Sequence, residues 1–226
     1  MIPKVIHYIW LGDDMPILYK ECISTWKQYA PGFKIEFWDE DRVSREFELD
    51  NFYYQMIRKK KYAFAVDYLR CLVLYEYGGI YLDTDMELVK DITPLCDNMV
   101  FSGLEKENQI SCGIIGAKKK HPLMKNLMER VISDGGLNVM PKLFTDMILE
   151  QNIELKWNND IHIVNEVTIY PTRFFYPFNP YRDGEVSQLL YKHIDADTYA
   201  IHHWAKAWSL SFWELVIRRL KKILGK

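Results

Sequence analysis

Two aspartates one residue apart, Asp83 and Asp85, follow the short apolar stretch Ile80-Tyr81-Leu82. Hard carboxylate oxygens suit Mg²⁺ or Mn²⁺. In extended chain, residues i and i+2 point to the same side, so the spacing predicts two side chains converging on one ion. The pair calls for a cation, because two close carboxylates repel and one would otherwise stay protonated. A divalent ion held from one side leaves its other side open to a diphosphate. Sixteen positions before Asp83 stands Asp67, with Arg70 three further on. That spacing puts both on one helical face. A second polar cluster comes late in the chain: His202, His203, Lys206 and Trp208 within Tyr199–Ser209.

These groups need elements to hold them. Ala63–Tyr77 is apolar nearly all round, apart from Asp67, Arg70 and Glu76, which predicts a helix buried on most sides. Gly78-Gly79 supplies the left-handed conformations that end a helix. Ile80–Leu82 then reads as a short interior strand, and acids at its carboxyl end lie where open α/β sheets bind ligands. Pro3–Leu11 is apolar almost throughout, as a central parallel strand would be. His7, in its middle, reads as a core histidine with its hydrogen bonds satisfied. An amphipathic helix over Ile17–Tyr29 and a strand over Lys34–Trp38 complete a β-α-β unit, with parallel pairing and a right-handed crossover. Asp39 reads as a turn cap. Asn51–Lys61 is helical and ends in the basic run Arg58–Lys61, read as a solvated face. Glu87–Val89 extends or flanks the sheet. Further strands are predicted over Met99–Glu105, Gln109–Ala117 and Ile161–Tyr170, with helices over Pro122–Ile132 and Pro141–Glu150. The aromatic run Phe174–Phe178 reads as packing.

The combination Ala65-Val66-Asp67-Tyr68-Leu69-Arg70 with Tyr77-Gly78-Gly79-Ile80-Tyr81-Leu82-Asp83-Thr84-Asp85 resembles the sugar-binding region of glycosyltransferase family 32. The start of the chain and the late His-His pair are similar to that family as well. The resemblance implies a GT-A fold: a Rossmann-like, mixed, mostly parallel sheet flanked by helices. It implies a retaining transfer from a nucleotide-sugar donor, with Mn²⁺ or Mg²⁺ as cofactor. Asp85 would hold the metal, with Asp83 beside it and His203 completing the shell; His202 is the alternative, since strand alternation lets only one of the two reach the ion. Asp67 and Asp83 would take sugar or ribose hydroxyls, and Arg70 would bind the sugar or steady Asp67. Trp10 would meet the base, Lys206 and Trp208 the diphosphate. Where the family has an asparagine facing the sugar, this chain offers Ser111.

At 226 residues the chain suits one α/β domain over 1–210 with a tail helix over 211–226. Lys+Arg number 29 against 31 Asp+Glu, so no global field points to nucleic acid. Cys22, Cys71, Cys96 and Cys112 have no metal-site spacing, which is simplest for a reduced, cytoplasmic protein. No apolar run is long enough to span a bilayer, and Met1-Ile2-Pro3-Lys4 leads straight into a strand without a signal peptide. Ser211–Lys226 is basic and amphipathic, which predicts docking at a membrane surface, peripheral at its inner face. The expected reaction moves a sugar, from UDP by preference, to a hydroxyl of a glycan acceptor. A lipid-linked acceptor in bacterial capsule or related surface-polysaccharide synthesis fits the tail. Two other readings are weighed. A haloacid-dehalogenase-type phosphohydrolase also places D-x-D after a strand, but needs Thr or Val where Glu87 stands. A non-catalytic sugar-binding module would leave Asp67, Arg70 and the histidines without a common purpose.

Overall fold

The computed structural model describes residues 1–12, 14–151, 160–180, 189–190 and 194–205. The first β-α-β unit is β1 (Val5–Ile9), α1 (Ile17–Tyr29) and β2 (Lys34–Trp38). Then come α2 (Glu40–Glu46), α3 (Asn51–Arg58), α4 (Tyr62–Tyr77), β3 (Gly79–Leu82) and β4 (Met86–Leu88). The remainder is β5 (Val100–Lys106), β6 (Gln109–Ala117), α5 (Pro122–Asp134), α6 (Met140–Leu149), β7 (His162–Val164), β8 (Val167–Tyr170) and β9 (Ala200–His202).

Seven strands form one sheet in the order β2-β1-β3-β6-β5-β8-β7. The pairings leave β2, β1, β3, β5 and β8 running one way and β6 and β7 the other. One hydrophobic face packs under α3–α6, where Tyr68, Leu69, Leu72 and Val73 of α4 are buried. The opposite face packs Trp26 of α1 against Ile80, Leu82 and Met86. The Trp26 indole N–H also donates to the Met86 carbonyl at 2.7 Å, which ties α1 to the strand after the acidic pair.

The helix-to-strand corner before that pair needs its two glycines. Gly78 and Gly79 have φ of +66° and +104°. A Cβ on Gly78 would lie 2.5 Å from the Lys119 backbone nitrogen, and one on Gly79 2.7 Å from the Val5 carbonyl. The tight turn brings α4 back antiparallel to β3, so the amino-terminal half of α4 lies at the carboxyl edge of the sheet. His7 is the core histidine expected. Trp38 Nε1 donates to its Nδ1 at 3.1 Å, so its Nε2–H donates to the Gly78 carbonyl at 2.8 Å. Burial pulls its pKa down to about 4, and the ring is neutral.

Several elements differ from expectation. β1 is shorter than Pro3–Leu11. Asp39 caps a helix rather than a solvated turn, its Oδ1 accepting from Arg42 N at 2.8 Å. Ile161–Tyr170 is a hairpin, not one strand, because Asn165 takes φ of +53° and reverses the chain. β4 leaves the main sheet and pairs antiparallel with β9. The tail 211–226 lies outside the described residues, and with it the proposed domain boundary. Among the described residues no helix is long and apolar enough to cross a membrane.

Candidate active site

The two aspartates converge by a turn, not by strand alternation. After β3 the chain bends at Asp83-Thr84-Asp85, and Met86 N donates back to the Asp83 carbonyl at 3.0 Å. Asp83 N is itself held by the Gly113 carbonyl of β6 at 2.8 Å. Asp85 is buried. Its Oδ2 accepts from Ala205 N at 2.9 Å, and its Oδ1 lies 3.1 Å from His202 Nε2. One ligand atom each from Asp83, Asp85 and His202 falls within 4.8 Å of the others.

His203, the histidine preferred from the sequence, is not the one at this corner. It pairs with Glu87 at 2.7 Å, and both side chains are about one-third exposed. The cause is register. β9 pairs Met86 with His202 and Glu87 with Ile201, so the last residue of β9 sits across from the Asp85 end of β4. His203 follows outside the strand, its backbone N–H spent on the Asp85 carbonyl at 3.0 Å.

Arg70 links the other two acids. Its Nη2 lies 3.2 Å from Asp67 Oδ1 and 3.3 Å from Asp83 Oδ1, while Nη1 donates to the Cys112 carbonyl. The guanidinium stands 4.5 Å from the centre of the Tyr81 ring, and the Tyr81 hydroxyl donates to Asp83 Oδ1 at 2.9 Å. Burial raises the Asp67 pKa to about 6, aided by Asp83 and opposed by Arg70 and the Met140 N–H. Burial works against the charge on Arg70, but Asp83, Tyr81 and Asp67 outweigh it and hold its pKa well above the usual range. Burial likewise opposes charge on Asp85 and His202. Their mutual hydrogen bond and attraction win, so Asp85 is depressed and His202 raised.

The sequence reading missed the wall that positions these groups. β5 and β6 pair Ser102 with Ile115 and then Leu104 with Ile110, so β6 bulges over the residues between. The bulge turns the Cys112 carbonyl to Arg70 and the Gly113 carbonyl to Asp83. Ser102 plugs it: its Oγ lies 2.7 Å from the Ser111 carbonyl and 3.0 Å from that of Ile114. The Ile114 N–H goes to the Tyr176 hydroxyl at 3.2 Å. A Cβ on Gly113 would come within 2.9 Å of that hydroxyl and 3.3 Å of Asp83 Oδ2. Gly113 inside an apolar strand pattern was the available signal, since such a glycine marks a bulge or a close approach. The Ser111 hydroxyl is buried in this wall, accepting from Gly113 N at 3.3 Å. Tyr81 and Tyr176, strand and packing residues by sequence, each also support Asp83 or the wall beside it.

Trp10 follows β1 at the same edge, its ring 4.9 Å from that of Tyr19. It lines an open cavity of about 330 Å³ with Gly12, Asp14, Met15, Phe37 and Asp39–Asp41. Lys206 and Trp208 lie outside the described residues.

Comparison with known proteins places this fold among glycosyltransferases. It superposes with a TM-score of 0.54 on a glycosyltransferase involved in glycosylation of the major capsid of PBCV-1, at 11% identity, covering 91% of this chain and 95% of that one. It does so equally, at 0.54 and 23% identity, on the PaToxG glycosyltransferase, covering 66% and 69%. Residues 16–102 match the family model described as a glycosyltransferase sugar-binding region containing the DXD motif. The chain is 30% identical over 197 residues to an uncharacterized glycosyltransferase of Acanthamoeba polyphaga mimivirus, covering 81% of this chain and 76% of that protein. It is 26% identical over 137 residues to inositol phosphoceramide mannosyltransferase 3 of Schizosaccharomyces pombe, spanning 58% of this chain but only 37% of that relative. The chain belongs to the DXD-containing glycosyltransferase family, family 32, and has the GT-A fold. That membership removes the phosphohydrolase reading.

Proposed function

We propose that the protein transfers a sugar from a nucleoside-diphosphate donor, a UDP-sugar, to a hydroxyl of a glycan acceptor in a reaction that depends on Mn²⁺ or Mg²⁺. The carrying observation is the convergence of Asp83, Asp85 and His202, with Arg70 joining Asp83 to Asp67 alongside. Two carboxylate oxygens and one imidazole nitrogen fit Mn²⁺ well and accept Mg²⁺. Those three residues would hold the ion, which when bound supplies positive charge to the departing diphosphate.

The chain's own groups do the positioning. Asp67 and Asp83 have lone pairs to accept hydroxyls of the sugar or ribose. Arg70 holds both carboxylates in place, and the Tyr81 hydroxyl locks Asp83 from the other side. Trp10 offers a ring face at the edge where the base would lie. Lys206 and Trp208 are assigned to the diphosphate from the sequence. In the transfer, the bond from the anomeric carbon to the diphosphate oxygen breaks and a bond to the acceptor oxygen forms on the same face. The acceptor proton passes to the leaving phosphate, and an α-linkage is retained. A lipid-linked acceptor is supported by the inositol phosphoceramide named for the fission-yeast relative. Surface-polysaccharide synthesis, with the tail 211–226 at a membrane, is the setting we infer.

A panel of sugar nucleotides tests this, each with Mn²⁺, Mg²⁺ or EDTA. Release of nucleoside diphosphate and thermal stabilisation are the readouts. Metal-dependent release with one donor, lost in Asp83→Asn and Asp85→Asn, is the expected result. Binding of free glycan without metal, and no donor turnover, would favour the non-catalytic module.

A further inference from the structure

One part of the molecule has charge and apolar exposure that the site does not use. Arg58 at the end of α3 and Lys59, Lys60 and Lys61 between α3 and α4 are all exposed. Across from them the loop after α5 carries two aliphatic side chains into solvent: Leu137 is 86% exposed and Val139 55%. The two segments touch. Lys61 Nζ lies 3.4 Å from the Gly136 carbonyl, and a Cβ on Gly136 would meet Met56 Sδ at 3.2 Å and Phe64 at 3.5 Å.

The loop is built to hold those side chains outward. Gly135 and Gly136 take φ of +68° and +78°. Asp134 accepts from Leu137 N at 2.8 Å, Asn138 N at 2.7 Å and Asn138 Nδ2 at 2.6 Å. Its charge is therefore spent on its own loop. Among the described residues, neither Arg58, Lys59 nor Lys60 is held in an ion pair. The cations and the aliphatics form one uncompensated patch.

The patch is joined to Asp67 through α4 and through the loop. Lys61 precedes Asp67 on the axis of α4 by six residues, roughly 9 Å of helix. The loop leads into Met140, whose backbone N–H reaches the Asp67 carboxylate. An acceptor approaching the donor sugar beside Asp67 would pass this rim.

We infer that the Arg58–Lys61 and Leu137–Val139 rim is a docking surface for an anionic lipid bilayer. Four basic residues match a negative headgroup layer, and two protruding aliphatics match the acyl boundary beneath it. This deepens the proposed function, since it rests on transfer to a membrane-held acceptor, and it gives the folded domain its own contact apart from the tail. Each basic residue near such a surface is worth roughly fivefold in partition.

Flotation of the full chain with phosphatidylcholine vesicles, with and without phosphatidylserine, tests it. The wild type is expected to bind only the vesicles containing phosphatidylserine. Lys59→Glu with Lys60→Glu, and separately Leu137→Ser with Val139→Ser, are each expected to lower that partition at least about tenfold. Hydrolysis of a sugar nucleotide without acceptor should stay unchanged in both, because neither pair touches the donor groups. Lys221→Glu with Lys222→Glu serves as the tail control. Rim variants that float like the wild type, or a wild type that ignores vesicles and instead binds an acidic protein, would overturn the inference. Flotation is read without donor, so it stands or falls separately from the transferase activity.

Discussion

Arg70→Lys keeps a positive charge in place but removes the fork that reaches Asp67, Asp83 and the Cys112 carbonyl together. A hydrogen bond to a charged group contributes about 1.5–3 kcal/mol. An ammonium at this site keeps part of that, so Asp67 should lose the equivalent of about one pKa unit. Its pKa starts at about 6 because burial dominates. With about one unit added, the ionised share of Asp67 at pH 7 falls from about nine-tenths to about half. The measurement is kcat/KM for the donor from acid to alkaline pH. The acid limb should move up by about one unit, with about nine-tenths of the activity regained by about pH 8. Stability should follow the same group. A carboxylate raised in the folded state contributes stability fully present below its unfolded pKa of 3.8, and that contribution is lost as pH rises through the folded value. The loss should therefore extend to higher pH in the variant than in the wild type. An unmoved acid limb, with Asp67→Asn sharing it, would refute the assignment of the limb to Asp67.

Other outcomes follow from the same contacts. Ser102→Ala removes the one hydroxyl hydrogen that the Ser111 and Ile114 carbonyls of the β6 bulge share, so it should cost about 1–3 kcal/mol of stability. It should also raise the donor KM, because the bulge aims carbonyls at Arg70 and Asp83; calorimetry and initial rates read the two effects, and Ser102→Thr should restore part of both. Tyr81→Phe removes a donor from Asp83 and should weaken donor binding about tenfold while the melting temperature changes little. Metal affinity should rise with pH, because His202 must give up the proton that Asp85 stabilises before it can ligate. Titration of Mn²⁺ at several pH values would show this; affinity independent of pH across the histidine range would count against His202.

Much of this site was legible in the chain because its signals were local. The three-residue spacing of Asp67 and Arg70, the double glycine and the D-x-D all act within one helix-turn-strand. The helix, its glycine stop and the strand fold as read, with Gly78 and Gly79 forced by the nearness of Lys119 and Val5. What was not legible depends on pairing across distant strands. That His202 rather than His203 stands beside Asp85 is set by which residue of β9 faces Met86. The wall formed by Ser102, the β6 bulge and Tyr176 joins segments far apart in sequence. Periodicity cannot report which carbonyls of such a strand turn away from its ladder. Nor could it show that the aspartates meet through a turn, since an extended pair and a turned pair have the same spacing.

Binding of Mn²⁺ with UDP, followed by electron paramagnetic resonance and calorimetry, tests the central claim most directly. One site per chain is expected, with affinity lost in Asp85→Asn, cut in His202→Ala and kept in His203→Ala. Unchanged binding in Asp85→Asn, or loss in His203→Ala with His202→Ala intact, would contradict it.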